Sequence, residues 1–570
     1  MWSSIPLLVL SLLPAASAAS AARCKAFPNT SSWPAASRWS ALNSAVSGRL
    51  ETVRPPAAVC YETFDGVPSY DAAKCQAYTA GFYDTDVHLA SPVSIYWDFW
   101  TNRTCVPTDD PTSGECTRGA FPNYVIKAQS VKDVQAGVNF AKKNNVRLVI
   151  KNTGHDFMGK SIGTGSLSIW THLFQSVKII DKYSDPSTSY KGSAVKLGAG
   201  VQIANLYTEL AKVGKVIVAG ECPTVGFAGG YIQGGGHGPL STILGMGTDS
   251  VLQYTLVTAD GKYITADAKS NSDIFWAMRG GGGASWGVLI SVTVKTHDTP
   301  PVSGAVFNFD VPAMSQDTYW AAVEAFHSFA PSFADAGIFG YYELNKQLWF
   351  IKPLIAPHKT LSELAAIMAP MMAKFDELGV KYTSNITTHS TFLEGYEALF
   401  DPEGAGANMF TSSRLFLREH VEGNNSAITA AFRNGAEQGY HFIGHVVAPG
   451  QFGGVSKETS VNPIWKKGLL LPLYNYMWNG TETQEQKWAV IQNLIDNVDT
   501  EFKDASPGSG TYINEANLYE PNWQNDFYGA AYPRLLKIKK KVDPTGVFYA
   551  KTAVGSELWK EVDGGRLCKA

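Results

Sequence analysis

The chain has 570 residues and a mass of 61.6 kDa, with 45% hydrophobic and 17% charged residues. This composition excludes a disordered chain and supplies apolar side chains for two to four domains of roughly 150 residues each. The 47 Lys and Arg against 50 Asp and Glu give a net charge of −3, without the basic excess that binding to nucleic-acid phosphates uses. We therefore expect an enzyme-like protein with no nucleic-acid partner.

The first 19 residues have the pattern of a secretory signal peptide. An apolar run over 5–13 precedes small residues at 16–18, and the first charged side chain is Arg23. This order predicts cleavage near Ala18 or Ala19 and a secreted, extracellular protein. No later stretch reaches the roughly 18 apolar residues that a membrane-spanning helix needs, so we expect no membrane association.

Glycosylation and cysteine spacing point to the same compartment. Five Asn-X-Ser/Thr tripeptides predict a glycoprotein, although such tripeptides also occur by chance. They lie at Asn29, Asn102, Asn385, Asn424 and Asn479. Six of the seven cysteines lie near the two ends of the chain, as expected for disulfides formed in an oxidising compartment. Cys105 and Cys116 close the shortest plausible loop, whereas the pairing of the others stays open.

The chain divides into a loop-rich start and two more regular regions. Residues 1–19 are the signal peptide, and residues 20–117 are rich in Pro, Ser, Ala and Trp with weak periodicity. Over 118–300 the pattern is regular and predicts a helix at 131–144 and a hairpin formed by 251–258 and 262–266. Helical and strand patterns then alternate over 301–504, which we interpret as a substrate domain. Residues 505–570 are polar and aromatic, and we expect them to fold back onto the 118–300 domain.

Three glycine-rich segments carry the main functional signal. They are KNTGHDFMGKSIGTGSLSIW at 151–170, the run at 220–238, and RGGGGASWG at 279–287. Glycine lets backbone N–H groups approach a phosphate closely, so a large anionic cofactor lying against bare backbone explains three such clusters. No GxxxxGK[ST] occurs, and the runs lack the strand, helix and acidic-residue arrangement of a dinucleotide fingerprint.

The ordered motifs resemble a known family. NTGHD, GECPTVGFAGGYIQGGGHG and SDIFWAMRGGGGASWGV, followed by YIN, YGAAYPRL and KKKVDPTGVF, are similar to the berberine bridge enzyme-like branch of the vanillyl-alcohol oxidase flavoprotein superfamily. The resemblance covers about 118–300 and 510–550. It implies an α+β protein with a PCMH-type FAD-binding domain of two α/β subdomains. It also implies a substrate domain whose antiparallel sheet is covered by helices.

The resemblance also implies a doubly attached FAD. His155 matches the histidine bonded to the flavin 8α-methyl group, and Cys222 matches the cysteine bonded to C6; taken alone they would be a loop histidine and a buried core thiol. Val225 occupies the position of a gate beside the carbon that reacts with oxygen, and its small side chain favours an oxidase. The remaining predicted cofactor-binding residues are Asn152, Thr153, Gly154, Asp156, Ser161, Thr224, Gly226, Gly229, Gly235, Gly236, Gly238, Val288 and Asn514.

Tyr512 and His237 are the predicted catalytic residues. Tyr512 and Asn514 match the family's YxN, whose tyrosine faces the flavin, and a base role would require a phenol pKa below the usual value of about 10. A structural tyrosine is the alternative. His237 replaces a residue that is often hydrophobic in this motif, and it is either an active-site acid or a packed turn residue.

Two features of the substrate domain bear on the chemistry. Leu469, Leu470 and Leu471 are apolar where a family strand often carries a polar catalytic partner, which puts the usual acid–base pair in doubt. Alternation in SSRLFLREH would place three basic side chains on one strand face, either beside the substrate or at a solvated edge. These are Arg414, Arg418 and His420.

The favoured function is a secreted, monomeric FAD oxidase. It would transfer hydride from a carbinol or similar C–H donor in a carbohydrate, phenolic compound or secondary metabolite, and then release hydrogen peroxide from O2. The alternatives are a dehydrogenase or oxidative cyclase on the same scaffold and a secreted, non-catalytic binding protein. A zinc hydrolase built from His155, His172 and His237 matches no helix-borne ligand pair, and we expect no metal.

Overall fold

The computed structural model of the protein describes residues 24–112 and 114–570, and the predicted signal peptide over 1–19 lies outside the described residues. The helices of eight residues or more in these ranges are α1 Ala36–Ala45, α2 Ala72–Ala80, α3 Val131–Asn144, α4 Ile203–Ala211, α5 Gln316–Asp335, α6 Leu361–Glu377, α7 Phe392–Leu399, α8 Arg418–Glu437, α9 Gln484–Asn493 and α10 Tyr532–Val542. None of the helices over this part of the chain is long and apolar enough to cross a membrane.

The first main sheet has four strands in the order β1-β2-β4-β3. They are β1 Leu50–Thr52, β2 Tyr124–Lys127, β3 Arg147–Lys151 and β4 Ser166–Trp170. β2 and β3 each pair in parallel with β4. α3 confirms the predicted helix: Ser130 and Asp133 form a capping box at its start, and Asn145 ends it in the left-handed conformation. The loop after β3 carries the first glycine-rich segment.

The second sheet is antiparallel, with five strands in the order β8-β7-β9-β6-β5. They are β5 Val177–Ser184, β6 Lys191–Gly198, β7 Val251–Val257, β8 Tyr263–Ala266 and β9 Val288–Lys295. β7 and β8 confirm the predicted hairpin, with each strand one residue shorter at the turn. Gly261 takes a φ of 81° there, a conformation that glycine adopts without strain. The second glycine-rich segment lies between α4 and β7.

The third sheet is also antiparallel, in the order β13-β10-β12-β11-β15-β16-β14. Its strands are β10 Val302–Phe309, β11 Phe339–Leu344, β12 Trp349–Pro357, β13 Tyr382–His389, β14 Met409–Ser413, β15 His441–Val446 and β16 Gly468–Met477. Phe326 of α5, Met368 of α6 and Phe432 of α8 are fully buried in one apolar cluster with Ile351 of the sheet. The expected antiparallel sheet covered by helices is therefore confirmed.

Three disulfides hold the N-terminal region and the chain ends. The predicted Cys105–Cys116 pair is confirmed, and Cys60 pairs with Cys75. Cys24 pairs with Cys568, across a sequence separation of 544 residues. Cys222 has no disulfide partner in the described ranges. The arrangement leaves the thiol of the second glycine-rich segment available for other chemistry.

Removing the disulfide between the chain ends is expected to destabilise the protein measurably. The variant Cys24→Ser/Cys568→Ser should lose about 2–5 kcal/mol of unfolding free energy, because a long loop is no longer closed in the unfolded chain. Urea unfolding of the oxidised proteins measures the loss. Cys105→Ser/Cys116→Ser, whose cysteines are separated by 11 residues, is the control and should lose less. A larger loss in the control would contradict the loop-closure argument.

The C-terminal segment returns to the glycine-rich segments. The Tyr512 hydroxyl accepts a hydrogen bond from the Gly236 N–H at 3.1 Å, and the Asn514 amide donates to the Gly230 carbonyl at 3.0 Å. Further along, α10 packs beside the helix Ser272–Met278. The segment thereby forms one wall of a cavity whose other walls carry the glycine-rich segments.

Candidate active site

Most of the predicted site residues line this one cavity. They are Asn152, Thr153, Gly154, His155, Asp156, Ser161, Cys222, Val225, Gly226, Gly229, His237, Tyr512 and Asn514. They come from the loop after β3, the segment before β7 and the C-terminal segment. The tertiary fold thus brings together motifs that are more than 350 residues apart in the sequence.

Five predicted cofactor residues are not among the residues that line the cavity. They are Thr224, Gly235, Gly236, Gly238 and Val288. Gly235 and Gly236 have φ values of 125° and 77° and serve the turn. A Cβ on Gly238 would lie 2.0 Å from the Ala219 carbonyl oxygen, so this glycine permits close backbone packing. Val288 is buried in β9, in the apolar core that also contains α3.

Several cavity residues were not predicted. The third glycine-rich segment contributes Gly282 and Gly283, and the acidic side chains Glu221 and Glu515 also line the wall. Each lies within or directly beside a motif that the sequence analysis identified, and this adjacency is the signal that could have found them. Glu403, which contacts the same site, lies in no such motif.

His155 lies at one end of the cavity as a neutral imidazole. Its Nε2 is 2.6 Å from Thr224 Oγ1 and 3.4 Å from Glu403 Oε2. The Tyr96 ring packs against it at a centroid distance of 3.9 Å, and the Tyr96 hydroxyl donates to Thr224. Burial, assisted by the nearby Lys151, lowers the pKa of His155 to about 3. One ring nitrogen therefore keeps a lone pair at neutral pH.

Cys222 lies beside the same carboxyl group. Thr224, two residues along the chain, donates its hydroxyl to Glu403 at 3.3 Å. Burial, reinforced by Glu403 and Glu221, raises the pKa of Cys222 well above the usual range, so the thiol keeps its proton. Burial also raises the pKa of Glu403 to about 7. The Glu403 carboxyl group therefore lies 3.4 Å from His155 and acts on the pKa of the Cys222 thiol.

Tyr512 keeps its proton, contrary to what a base role requires. Its hydroxyl accepts hydrogen bonds from the Gly236 N–H and from the Asn514 amide at 2.7 Å, which favour the phenolate. Burial and the neighbouring Glu515 outweigh them and raise the pKa of Tyr512. The direction of this shift is opposite to the one that a base role would need, and a protonated phenol is suited to binding a substrate oxygen.

His237 forms a buried ion pair with Glu515. Its Nε2 lies 3.2 Å from Glu515 Oε2, and its side chain is 3% exposed against 18% for Glu515. Burial alone would lower the pKa of His237, but the Glu515 carboxylate outweighs burial and raises it. The His237 ring also packs at 4.9 Å from the Tyr512 ring. The contact with Glu515 distinguishes His237 from a turn residue that is held by packing alone.

A second histidine–carboxylate pair lies beside the first. His445 Nε2 is 3.2 Å from Glu221 Oε1, and the rings of His445 and His237 are 5.2 Å apart. His445 lies on β15 directly opposite Leu471 of β16. Leu469, Leu470 and Leu471 are fully buried. The strand next to β16 thus places a histidine beside Glu221 and His237.

The His237–Glu515 pair should make stability depend on pH. A raised folded pKa adds stability that is complete below the unfolded value of about 6.5 and is lost as pH rises through the folded pKa. His237→Gln should therefore cost up to about 3 kcal/mol below pH 6, because the half-buried Glu515 loses its partner, and progressively less at alkaline pH. Denaturant unfolding from pH 5 to 9 measures this, with exposed His358→Gln as control. A difference that grows with pH would contradict the pairing.

The three basic residues of SSRLFLREH do not share one strand face, and none of them is among the residues that line the cavity. Arg414 is buried and paired with Asp526 at 2.9 Å. β14 ends at Ser413 and α8 begins at Arg418, so the assumed strand alternation is interrupted. His420 accepts from the Leu417 N–H at the start of α8, whereas Arg418 pairs with a surface aspartate.

The cavity wall fits a large polar cofactor. Asn152 Oδ1, Gln233 Oε1 and His237 Nδ1 are buried without a hydrogen-bond partner, which is costly unless a ligand or water satisfies them. Lys160 lines the cavity as well and offers a cation to a phosphate. In the described ranges, no group of three or more His, Cys, Asp and Glu side chains is arranged to hold a metal ion.

Comparisons with known proteins agree with this fit. Residues 122–267 match the family model described as FAD binding domain, and 511–555 match the one described as berberine and berberine like. The FAD-linked oxidoreductase ZEB1 of Gibberella zeae is 36% identical, over 96% of this chain and 95% of that protein. The crystal structure of the VAO-type flavoprotein MtVAO615 from Myceliophthora thermophila C1 superposes with a TM-score of 0.90 at 35% identity, covering 96% of this chain and 100% of that chain.

The chain belongs to the vanillyl-alcohol oxidase-type flavoprotein family. It is an FAD-linked oxidoreductase with a berberine-like C-terminal segment, as the sequence motifs predict. The PCMH-type fold is likewise confirmed. A further relative is the bifunctional decalin synthase calF of Penicillium decumbens, which is 36% identical and covers 99% of both chains. Members of one family thus carry names for different reactions.

Proposed function

We propose that this flavoprotein is a secreted oxidase that takes hydride from a carbinol or similar C–H donor and passes the electrons to O2, releasing hydrogen peroxide. Its FAD would be attached to both His155 and Cys222. The observation that carries the proposal is that His155 and Cys222 line one cavity together with the glycine-rich segments. Tyr512, His237 and Glu515 line the same cavity.

The cavity residues would hold the cofactor through backbone and neutral polar groups. When bound, FAD supplies the hydride-accepting ring and the electron transfer to oxygen. The loop over 152–156 would hold the pyrophosphate with its N–H groups. Asp156 orders the far side of this loop, because its carboxylate accepts from the Ser161 hydroxyl at 2.6 Å. Asn152 and Gln233 would satisfy their free oxygens on the cofactor.

Glu515 is proposed as the group that removes the substrate's hydroxyl proton. Its Oε2 lies 3.2 Å from His237 Nε2, and a carboxylate accepts hydrogen bonds only. The Tyr512 phenol would bind and orient the substrate oxygen. The nearby Glu221 is the second candidate base. Burial opposes its ionisation, but the contact with His445 outweighs burial and lowers the pKa of Glu221.

Oxidase chemistry is favoured over the alternatives by Val225. Its small side chain lines the cavity, which leaves room for O2 near the flavin. One relative, VAO615 of Thermothelomyces thermophilus, is named a VAO-type flavoprotein oxidase and is 37% identical over 96% of this chain. A dehydrogenase or oxidative cyclase remains the second candidate, supported by the name of the decalin synthase relative.

Secretion is supported by the disulfides and by the exposure of the predicted glycosylation sites. Three disulfides suit an oxidising compartment. All five sequon asparagines are exposed, as glycan attachment requires: Asn29, Asn102, Asn385, Asn424 and Asn479. We propose that the glycosylated protein is a monomer.

The proposal is tested by screening purified holoenzyme against oligosaccharides, phenolic alcohols and secondary alcohols for peroxide release. A donor that bleaches the flavin without oxygen, followed by rapid recovery of its absorbance in air, is expected. Bleaching with slow recovery in air would favour the dehydrogenase. A flavin that no donor bleaches would favour the non-catalytic binding protein.

A further inference from the structure

Glu403 approaches the two proposed attachment residues from the 301–504 part of the sequence. It lies in the loop between α7 and β14, and its side chain is 17% exposed. The loop is fixed against the N-terminal region: the Gly406 N–H donates to the Tyr96 carbonyl at 2.8 Å, and the Asp98 N–H donates to the Ala407 carbonyl at 2.9 Å. The Glu403 carboxyl is thereby positioned independently of both attachment residues.

Cys222 needs a base before its sulfur can act as a nucleophile, because the thiolate and not the thiol is reactive. Its principal electrostatic neighbours are the carboxylates Glu403, Glu221 and Glu515, and they disfavour the thiolate. Cationic side chains are what usually lower a cysteine pKa. The proton must therefore pass to a neighbouring group, and Glu403 is held in the immediate surroundings of the thiol by its hydrogen bond from Thr224, two residues along the chain from Cys222.

We propose that Glu403 is the base that removes the Cys222 thiol proton during attachment of the flavin. The attachment breaks the Cys222 S–H bond and one ring C–H bond of the flavin and forms one C–S bond. Two electrons and two protons pass to O2, which leaves as hydrogen peroxide. Thr224 donates to Glu403 at 3.3 Å and contacts His155 at 2.6 Å, so it orients the carboxyl and the imidazole together. The inference rests on the proposed double attachment.

The decisive variant is Glu403→Gln in the full chain, with Glu397→Gln as control. Glu397 is an exposed glutamate on the preceding helix α7, so its substitution removes the same charge away from the site. Denatured proteins are digested, and the flavin on the His155 and Cys222 peptides is quantified by mass. Wild type and Glu397→Gln should carry both bonds, whereas Glu403→Gln should carry flavin on His155 with little on Cys222.

Incubation of Glu403→Gln in air then separates a base from a structural role. The Cys222 bond should form at least about 100-fold more slowly at pH 7 than with the carboxylate present. Its rate should rise about 10-fold per pH unit as hydroxide generates the thiolate. If Glu403→Gln binds no flavin, Glu403→Asp decides, because a restored carboxylate should give the Cys222 bond at an intermediate rate.

The remaining outcomes contradict either the role of Glu403 alone or the double attachment as well. A Cys222 bond at the wild-type level in Glu403→Gln, or Glu403→Asp behaving like Glu403→Gln at pH 7, would overturn the role of Glu403 and leave double attachment standing. Absence of the Cys222 bond in wild type would overturn both.

Discussion

Replacing Glu515 with Gln is expected to slow reduction of the flavin by substrate about 10²–10⁴-fold at neutral pH, the usual size of a lost general base. The carboxylate lines the cavity beside His237. Gln keeps the shape of the side chain but accepts a proton poorly. Tyr512→Phe should cost less, about 10-fold, because it removes one hydrogen bond of roughly 1.4 kcal/mol to the substrate.

Anaerobic stopped-flow bleaching, with the best donor from the peroxide screen, measures these rates. The exposed Glu485→Gln is the matched control and should behave as wild type. Full activity in Glu515→Gln combined with a large loss in Glu221→Gln would transfer the base role to the His445-paired carboxylate. A loss in Tyr512→Phe as large as that in Glu515→Gln would restore the phenol as the base despite its raised pKa.

Removing one attachment point is expected to weaken the flavin as an oxidant. Cys222→Ala should keep flavin on His155 through denaturation while its midpoint potential falls by about 60 mV, which is about 100-fold in the equilibrium constant of a two-electron oxidation. His155→Ala should leave the flavin on Cys222. The double variant should release all of its flavin when denatured.

Spectroelectrochemical titration against a reference dye gives the potentials. Cys222→Ser, which keeps a small polar side chain without a nucleophilic sulfur, is the control and should match Cys222→Ala. An unchanged potential in both variants would show that attachment serves retention of the cofactor rather than its oxidising power.

Local sequence patterns predicted the parts of the fold that local interactions determine. The capping residues Ser130 and Asn145 define α3 to the residue, and the glycine of the turn defines the β7–β8 hairpin. The same reasoning failed where the strand period was extended past Ser413. There, the start of α8 and the buried Arg414–Asp526 pair depend on tertiary contacts that alternation does not encode.

The candidate site was predictable only where its residues share motifs. His155, Cys222 and Tyr512 lie in glycine-rich or family-like segments and line one cavity. Glu403 and His445 stand in ordinary sequence and reach the site because the substrate domain packs against it. The direction of the Tyr512 pKa shift depends on burial and on Glu515, so no motif indicates it.

The proposed attachment of FAD through two bonds is tested most directly on the deglycosylated, denatured protein. The measurement is its mass and visible spectrum, followed by mapping of the peptides that stay yellow. Double attachment should leave flavin on the peptides that contain His155 and Cys222. Flavin that separates completely from a yellow native protein would contradict it.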